Sequence, residues 1–126
     1  MDDLLSARPV AFVHVADRNR ALAFYEGVLG LPLQSADPFG DFLDLGDALL
    51  RITVIPDYEA HPHPVLGWNV ADVRATAAAL AEQGVALNIY EGIGQDEDGI
   101  WTAPDGRVQV AWFLDPDGNV LSLSQT

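Results

Sequence analysis

The sequence predicts an α+β fold built from two copies of one module, strand-helix-strand-strand-strand (βαβββ). The same order of apolar, period-2 and helical segments occurs twice within 126 residues, a length that fits one domain. Val15-Ala16-Asp17 recurs as Val70-Ala71-Asp72, and Gly30-Leu31-Pro32-Leu33 is matched by Gly84-Val85-Ala86-Leu87, in the same order along the chain. We therefore expect a single domain over residues 1–126, with a first module at 1–58 and a second at 62–126.

The first module begins with an apolar, β-branched run over residues 9–15, which predicts a buried strand. Asp17 is an expected N-cap for the helix that follows, and Gly30 is the residue expected to end it. The apolar stripe of that helix carries Leu22, Tyr25 and Leu29 at helical spacing. Three strands are then predicted over residues 31–37, 39–45 and 48–55.

The second module repeats this order. We predict a strand over 65–70, an N-cap at Asp72, a helix over 73–83 and strands over 85–90, 108–114 and 120–124. The connection over 91–105 is long for a structureless loop, which is typical of a lid or a binding loop. Trp101 within it either closes over an aromatic ligand or lies beneath an extra edge strand.

Composition excludes several classes of function. Nineteen Asp and Glu face six Arg and no Lys, for a formal charge of −13, so nucleic acids and anionic membranes are poor partners. The absence of Cys removes disulfides and thiolate sites. No apolar run is long enough to span a bilayer, and the N-terminus lacks a signal-peptide pattern, so we expect a cytoplasmic protein.

Two motifs resemble those of a known superfamily. Asp17 followed by Phe24-Tyr25-Glu26-Gly27-Val28-Leu29-Gly30-Leu31 resembles the first helix of the vicinal oxygen chelate superfamily, which includes glyoxalases, bleomycin resistance proteins and extradiol dioxygenases. Asp115-Pro116-Asp117-Gly118-Asn119 resembles its last hairpin turn. The resemblance covers nearly the whole chain. It implies the glyoxalase/bleomycin resistance fold, in which the curved mixed sheets of two βαβββ modules enclose a cleft, and it implies a homodimer.

The resemblance also implies where a divalent metal ion would be held, on the first and last strand of each module. The corresponding positions here are Val10, Arg51 (with Leu50 as a one-residue alternative), Val65 and Ser122. Valine has no donor atom and arginine stays protonated, so we predict no metal and no cofactor at the usual positions. A displaced site that uses His14, His61 or His63 is the alternative.

Strand alternation sorts the remaining candidates, because residues two apart share a face. His14 and Arg51 are the candidate catalytic residues, His14 for proton transfer and Arg51 as an anchor for an anionic group. A structural ion pair is the other interpretation of Arg51. The predicted ligand-binding residues are Phe12, His14, Arg51, Asn69, Tyr90, Trp101, Gln109, Phe113 and Ser122.

Three functional hypotheses remain open from the sequence. The first is a metal-free small-molecule-binding protein that sequesters its ligand in the manner of bleomycin resistance proteins. The second is a lyase, isomerase or dioxygenase-type enzyme that acts on a small oxygen-rich organic acid, either without metal or with a displaced metal site. The third is a diverged domain whose role is assembly. The expected partners are a small molecule and a second copy of the chain.

Overall fold

The computed structural model describes residues 3–126, and the chain divides into two compact units. The first unit ends at Ala60 and the second begins at His61. Each unit contains one helical segment and one four-stranded sheet of mixed parallel and antiparallel strands. The predicted α+β fold with two mixed sheets is therefore confirmed. Among the described residues, no helix is long and apolar enough to cross a membrane.

The first unit follows the predicted order of elements. Its sheet has the order β1-β4-β3-β2, with β1 parallel to β4 and the other neighbours antiparallel. The elements are β1 (Val10–Val15), α1 (Arg18–Leu22) continued by a π-helical segment (Ala23–Val28), β2 (Leu33–Asp37), β3 (Gly40–Asp44) and β4 (Leu49–Val54).

The first helix starts and stops where the sequence predicts. The Asp17 carboxylate accepts a hydrogen bond from the Arg20 amide at 3.0 Å, and Gly30 has a φ of 75°. The π-helical part was not predicted. Its wider turn accompanies the burial of two consecutive aromatic residues, Phe24 and Tyr25, whose ring centroids are 5.2 Å apart in an edge-to-face arrangement.

The second unit repeats the arrangement, with the sheet order β5-β8-β7-β6 and β5 parallel to β8. Asp72 caps the helix as predicted, accepting from the Ala75 amide at 3.1 Å. The elements are β5 (Pro64–Asn69), α2 (Val73–Glu82), β6 (Trp101–Thr102), β7 (Gln109–Leu114) and β8 (Val120–Gln125).

The strand predicted over residues 85–90 is wrong. The segment is irregular and donates one backbone hydrogen bond to β7, from the Asn88 amide to the Trp112 carbonyl at 2.7 Å. The Gln95 side chain takes the Tyr90 amide and the Asn88 carbonyl, groups that a sheet ladder would otherwise use. The edge of the sheet is instead β6, so an extra edge strand is present, but Trp101 is part of that strand and half-buried rather than beneath it.

β7 places two of the predicted ligand-binding residues, Gln109 and Phe113, on the side of the sheet that carries the core. Phe113 pairs with Leu121 and Ala111 pairs with Leu123, and all four side chains are buried. Gln109 lies on the same face as Phe113, whereas Trp112 lies on the opposite face. Alternation could not decide between the two faces, because both carry large apolar residues in this strand.

A charged contact ties the first helix to its sheet. Arg18 donates to both carboxylate oxygens of Asp41, at 2.9 and 3.3 Å, and to the Gly40 carbonyl at 2.9 Å. Asp41 is only 2% exposed, so its charge requires this partner. The hydrogen bond to Asp41 raises the pKa of Arg18 above its ordinary value. The pair fixes the start of α1 over β3.

Because Phe113 is buried and its neighbour Trp112 is half-buried, replacing each with alanine should lower the free energy of unfolding by different amounts. Phe113→Ala should lower the free energy of unfolding by about 3–5 kcal/mol, because it leaves a cavity in a close-packed core. Trp112→Ala should cost clearly less, because the Trp112 side chain is half-buried. Urea unfolding followed by circular dichroism measures both. A larger loss for Trp112→Ala would contradict this assignment of faces.

Candidate functional site

Each sheet has one face buried by its own apolar core and one face with half-buried and exposed side chains, which we call the open face. In β1, Val13 and Val15 are buried, whereas Phe12 is 62% exposed and His14 is also exposed. Cross-strand register adds Arg51 of β4, which pairs with Phe12 on one side and Phe42 on the other. Phe12, His14 and Arg51 therefore lie on one face of the first sheet.

Arg51 is held in the middle of the first open face. Its Nη2 donates to Asp37 Oδ1 at 2.9 Å, and its Cζ lies 4.7 Å from the centroid of the Phe42 ring. The side chain is only 12% exposed. The structural ion pair considered for Arg51 is thus present. Its Nη1 is nevertheless buried and has no hydrogen-bond partner among residues 3–126.

Asp37 accepts hydrogen bonds from the backbone of the β2–β3 turn as well as from Arg51. Its Oδ1 accepts from the amides of Phe39 and Gly40, at 2.8 and 3.1 Å, and this closes the β2–β3 turn. The hydrogen bond from Arg51 is the largest influence that lowers the pKa of Asp37, and the Phe39 amide is the second. The local fold of the turn therefore fixes the carboxylate that orients Arg51.

His14 is exposed on the same open face, two residues after Phe12. Its ring centroid is 6.0 Å from that of Tyr58, with the planes at 48°. His61 and His63 are exposed at the start of the second unit. No group of three or more His, Asp or Glu residues among residues 3–126 could hold a metal ion.

The open face of the second sheet has a different chemistry. Register places Trp112, Ser122 and Gly67 side by side across β7, β8 and β5. Tyr90 meets this row at its outer end, with its ring 5.6 Å from that of Trp112 and nearly perpendicular to it. The Tyr90 hydroxyl accepts a hydrogen bond from the Asn88 side chain at 3.2 Å.

A second row runs parallel to the first. Trp101 pairs with Val110, Val110 with Ser124 and Ser124 with Asn69. Asn69 is engaged, because its Nδ2 donates to Thr126 Oγ1 at 3.2 Å. The strand residues of the two rows include no Asp, Glu, Lys, Arg or His within the described chain. This open face is therefore aromatic and hydroxyl-bearing, without a charged group.

Ser122 and Gly67 form a close pair on that face. A Cβ atom added at Gly67 would collide with Ser122 Oγ, so the hydroxyl lies directly over the glycine. Within residues 3–126, Ser122 Oγ has no hydrogen-bond partner. The pair therefore offers a low floor whose only side chain is the Ser122 hydroxyl.

Gln95 is a residue that sequence reasoning missed. Its Oε1 accepts from the Tyr90 amide at 2.6 Å, and its Nε2 donates to the carbonyls of Asn88 and Gly99 at 2.8 and 2.7 Å. These three hydrogen bonds fix the conformation of the loop over residues 88–99, in which Tyr90 lies against Trp112. The only signal in the sequence was a glutamine between Gly94 and the acidic residues 96–98. Its hydrogen-bond partners depend on the three-dimensional path of the loop, which the sequence does not show.

A groove of about 290 Å³ lies elsewhere in the second unit, beside α2. Ala77, Ala78 and Ala81 form one wall. Its arginine, Arg74, is engaged by two aspartates, Asp96 and Asp98, each at 2.8 Å. Because these charges satisfy one another, the groove presents small apolar side chains and adds no residue to either open face.

The predicted site residues thus fall into three groups. Phe12, His14 and Arg51 share the first open face. Asn69, Tyr90, Trp101 and Ser122 lie on or beside the second. Gln109 and Phe113 lie on the buried side of β7, and Trp112, which was not predicted, lies on the second open face.

Comparison with known proteins agrees with this architecture. The model of the Glyoxalase/Bleomycin resistance protein/Dioxygenase superfamily matches residues 9–123. No curated protein matches the sequence.

Solved structures show the same fold at low sequence identity. A glyoxalase family protein from Bacillus anthracis is 16% identical, with a TM-score of 0.75 over 100% of this chain and 99% of the other. A lactoylglutathione lyase from Agrobacterium tumefaciens is 19% identical, with a TM-score of 0.71 over 95% and 93% of the two chains. A fosfomycin resistance protein from Listeria monocytogenes is 14% identical, with a TM-score of 0.72 over 96% and 93%.

The Arg51–Asp37 pair predicts a pH effect. Arg51→Gln should raise the pKa of the Asp37 carboxyl towards its ordinary value of about 3.9, because the strongest stabilisation of the charged form is lost. In the native protein the lowered pKa of Asp37 stabilises the fold above the unfolded pKa. That stabilisation is lost as the pH falls through the folded pKa, so the stability difference between native and variant should shrink on acidification.

Carbon-detected NMR titration of the Asp37 carboxyl measures this directly. Arg8→Gln is the matched control, because it removes the same kind of pair, at 2.6 Å to Asp44, on the same sheet. An Asp37 titration that is unchanged in Arg51→Gln, or that shifts equally in Arg8→Gln, would contradict the assignment.

The Gln95 bonds predict a local loosening. Gln95→Glu keeps the length of the side chain but cannot donate to the carbonyls of Asn88 and Gly99, so those acceptors lose their partner. We expect faster amide hydrogen exchange over residues 88–99, with the protection of β7 and β8 retained. Gln83→Glu adds the same charge at the exposed end of α2 and should leave the loop protected. Unchanged exchange over 88–99 would count against the role given to Gln95.

Proposed function

The chain belongs to the glyoxalase/bleomycin resistance protein/dioxygenase superfamily, and from this premise we propose that it binds a small organic molecule without a metal ion. Glyoxalase-like members hold their ion on four strands, at positions that correspond here to Val10, Arg51, Val65 and Ser122. The observation that carries the proposal is the state of Arg51, a cation fixed by Asp37 and Phe42 where a metal ligand would stand.

The other three positions do not fit a metal either. Val10 and Val65 have only apolar side chains, 39% and 42% exposed. Ser122 is a single hydroxyl over a glycine. A divalent ion needs several imidazole, carboxylate or thiolate ligands, and a guanidinium repels it. The side chains at these four positions therefore favour a function that does not use a metal ion.

What these positions supply instead is suited to binding an organic molecule. On the first open face, Arg51 is a hydrogen-bond donor, and Phe12 and Val10 of the neighbouring strand provide apolar surface. On the second open face, Ser122 is the donor, and the neighbouring strand β5 carries Val65. A few polar groups within an apolar, aromatic lining are typical of small-molecule sites. We propose sequestration, in the manner of the bleomycin resistance proteins that give the superfamily part of its name, as the role this composition favours.

The alternative is a lyase, isomerase or dioxygenase-type enzyme acting on a small oxygen-rich organic acid. It is supported by the presence of His14 and Arg51 on one open face, where Arg51 pairs with Phe12 and His14 follows two residues later. An imidazole changes its charge near neutral pH and can transfer a proton, and a guanidinium can hold an oxyanion. For this role a ligand oxygen would have to displace the groups that cover Arg51 Nη1.

Metal content tests the proposal. Protein purified without chelator should contain well under one equivalent of Ni, Zn, Mn or Fe by elemental analysis, and EDTA should leave its Tm unchanged. A stoichiometric metal in the native protein, removed by EDTA with a fall in Tm, would overturn the proposal.

Ligand class is tested by thermal shift in the presence of EDTA, because a compound that binds only the native state raises Tm. Planar cations that raise Tm would favour sequestration of a cationic drug. Small carboxylates that raise Tm in the native protein but not in Arg51→Gln would favour the second role. His14→Gln then separates the two, since it should abolish turnover of such an acid without abolishing its binding.

A further inference from the structure

We infer that the open face of the second sheet takes an uncharged, planar aromatic ring that contacts Trp112, meets the Ser122–Gly67 pair with one edge and accepts a hydrogen bond from Ser122 at that edge. The inference rests on the proposed metal-independent binding and names the chemical class of the ligand. It is carried by one row of the sheet, Tyr90–Trp112–Ser122–Gly67.

The floor of the row is shaped for a flat group. Gly67 has no side chain, and its neighbour Ser122 has a short one that leans over it. The next residue across the sheet is the large indole of Trp112. The height of the surface therefore rises from one edge of the sheet towards the middle, and it leaves a shallow step against which a ring can lie.

The wall of this step is a pair of aromatic rings at right angles. Tyr90 and Trp112 are 5.6 Å apart with an interplanar angle of 83°. Such an arrangement turns the electron-rich face of one ring and the electropositive edge of another towards adjacent space, which favours an aromatic ligand in an offset or edge-on contact. The Gln95 bonds to the loop hold Tyr90 in this position.

The charge of the face decides between ligand classes. Among the described strand residues of this face there is no acidic or basic side chain, although the chain as a whole carries −13. A cation buried here would lose its hydration without gaining a counter-charge, and so would an anion. The face therefore selects a neutral ring.

The unused hydroxyl adds a requirement for hydrogen bonding. Ser122 Oγ has no partner among residues 3–126 and lies at the base of the step. A ring with an acceptor atom on its edge would satisfy that donor, so a heteroaromatic ring should bind better than the hydrocarbon of the same shape.

Three probes of nearly equal shape test the inference by quenching of tryptophan fluorescence and by NMR. Quinoline at neutral pH is planar and uncharged and has an acceptor. Naphthalene lacks the acceptor, and N-methylquinolinium is a cation. We expect quinoline to bind about three- to tenfold more tightly than naphthalene, the range that one hydrogen bond provides, and N-methylquinolinium to bind least.

Four variants locate the binding. Ser122→Ala should reduce the affinity for quinoline to that for naphthalene, whereas Ser124→Ala, which removes the same hydroxyl two residues along β8, should leave both affinities unchanged. Gly67→Ala should weaken the binding of quinoline, because the added methyl group would collide with Ser122 Oγ and displace the hydroxyl. Trp112→Leu should weaken both by about two- to tenfold, and Trp112→Phe should restore most of the loss, since an aromatic ring remains.

The outcomes separate this inference from the proposal on which it rests. If quinoline failed to bind, or if Ser122→Ala and Ser124→Ala lowered its affinity equally, the inferred ring-binding site would be wrong. A low metal content would still support metal-independent binding. Tightest binding of N-methylquinolinium would overturn the neutral class. If sedimentation velocity showed that Trp112→Leu dissociates a dimer, the face would belong to a second copy of the chain and the inference would fail. A stoichiometric metal would remove both together.

Discussion

The parallel pairing of the first and last strand in each unit is the constraint on which the structure depends. β1 pairs with β4 and β5 with β8, although a helix and further strands or loops separate the members of each pair. A parallel pair cannot be closed by a tight turn, so the chain must cross over, and the helix of the crossover comes to cover one face of the sheet. The other face is left open. The same pairing brings Phe12 beside Arg51 and Gly67 beside Ser122.

Local chemistry explains why much of this fold could be predicted from the sequence. Asp17 and Asp72 cap helices through their own nearby amides, and Gly30 adopts a left-handed conformation that few other residues tolerate. These features involve residues only a few positions apart. The repetition of such local signals along the chain was sufficient to identify two modules and the superfamily.

The failures have a common physical cause, which is competition between distant partners. Residues 85–90 alternate like a strand, but the Gln95 side chain takes two of the backbone groups that a ladder needs. In β7 both parities are apolar, so only packing decides that Phe113 is buried and Trp112 is not. The position of Tyr90 against Trp112 depends on both outcomes. Trp112 was therefore beyond the reach of the sequence, whereas Tyr90, Arg51 and Ser122 were named from it.

The acidic composition has a mainly local explanation. Asp37, Asp41 and Asp44 are each paired with an arginine in the first unit, and Asp96 and Asp98 share Arg74 in the second. Asp17 and Asp72 are occupied as helix caps. These carboxylates have local structural partners and are not available to a cationic ligand. The excess of 13 acidic side chains that remains after all arginines are counted is first a determinant of solubility.

The two open faces show how one topology can be given two chemistries. At corresponding positions of the last strand of each unit, Arg51 brings a fixed cation to the first face, and Ser122 brings an uncharged hydroxyl to the second. The cation needs Asp37 and Phe42 to hold it, and both come from strands of the same sheet. The hydroxyl needs only a glycine beneath it, because a Cβ atom at Gly67 would collide with Ser122 Oγ. The parallel pairing is made by backbone hydrogen bonds and does not depend on the side chains of the open face. Substitutions on that face can therefore alter ligand recognition while the buried face preserves the fold.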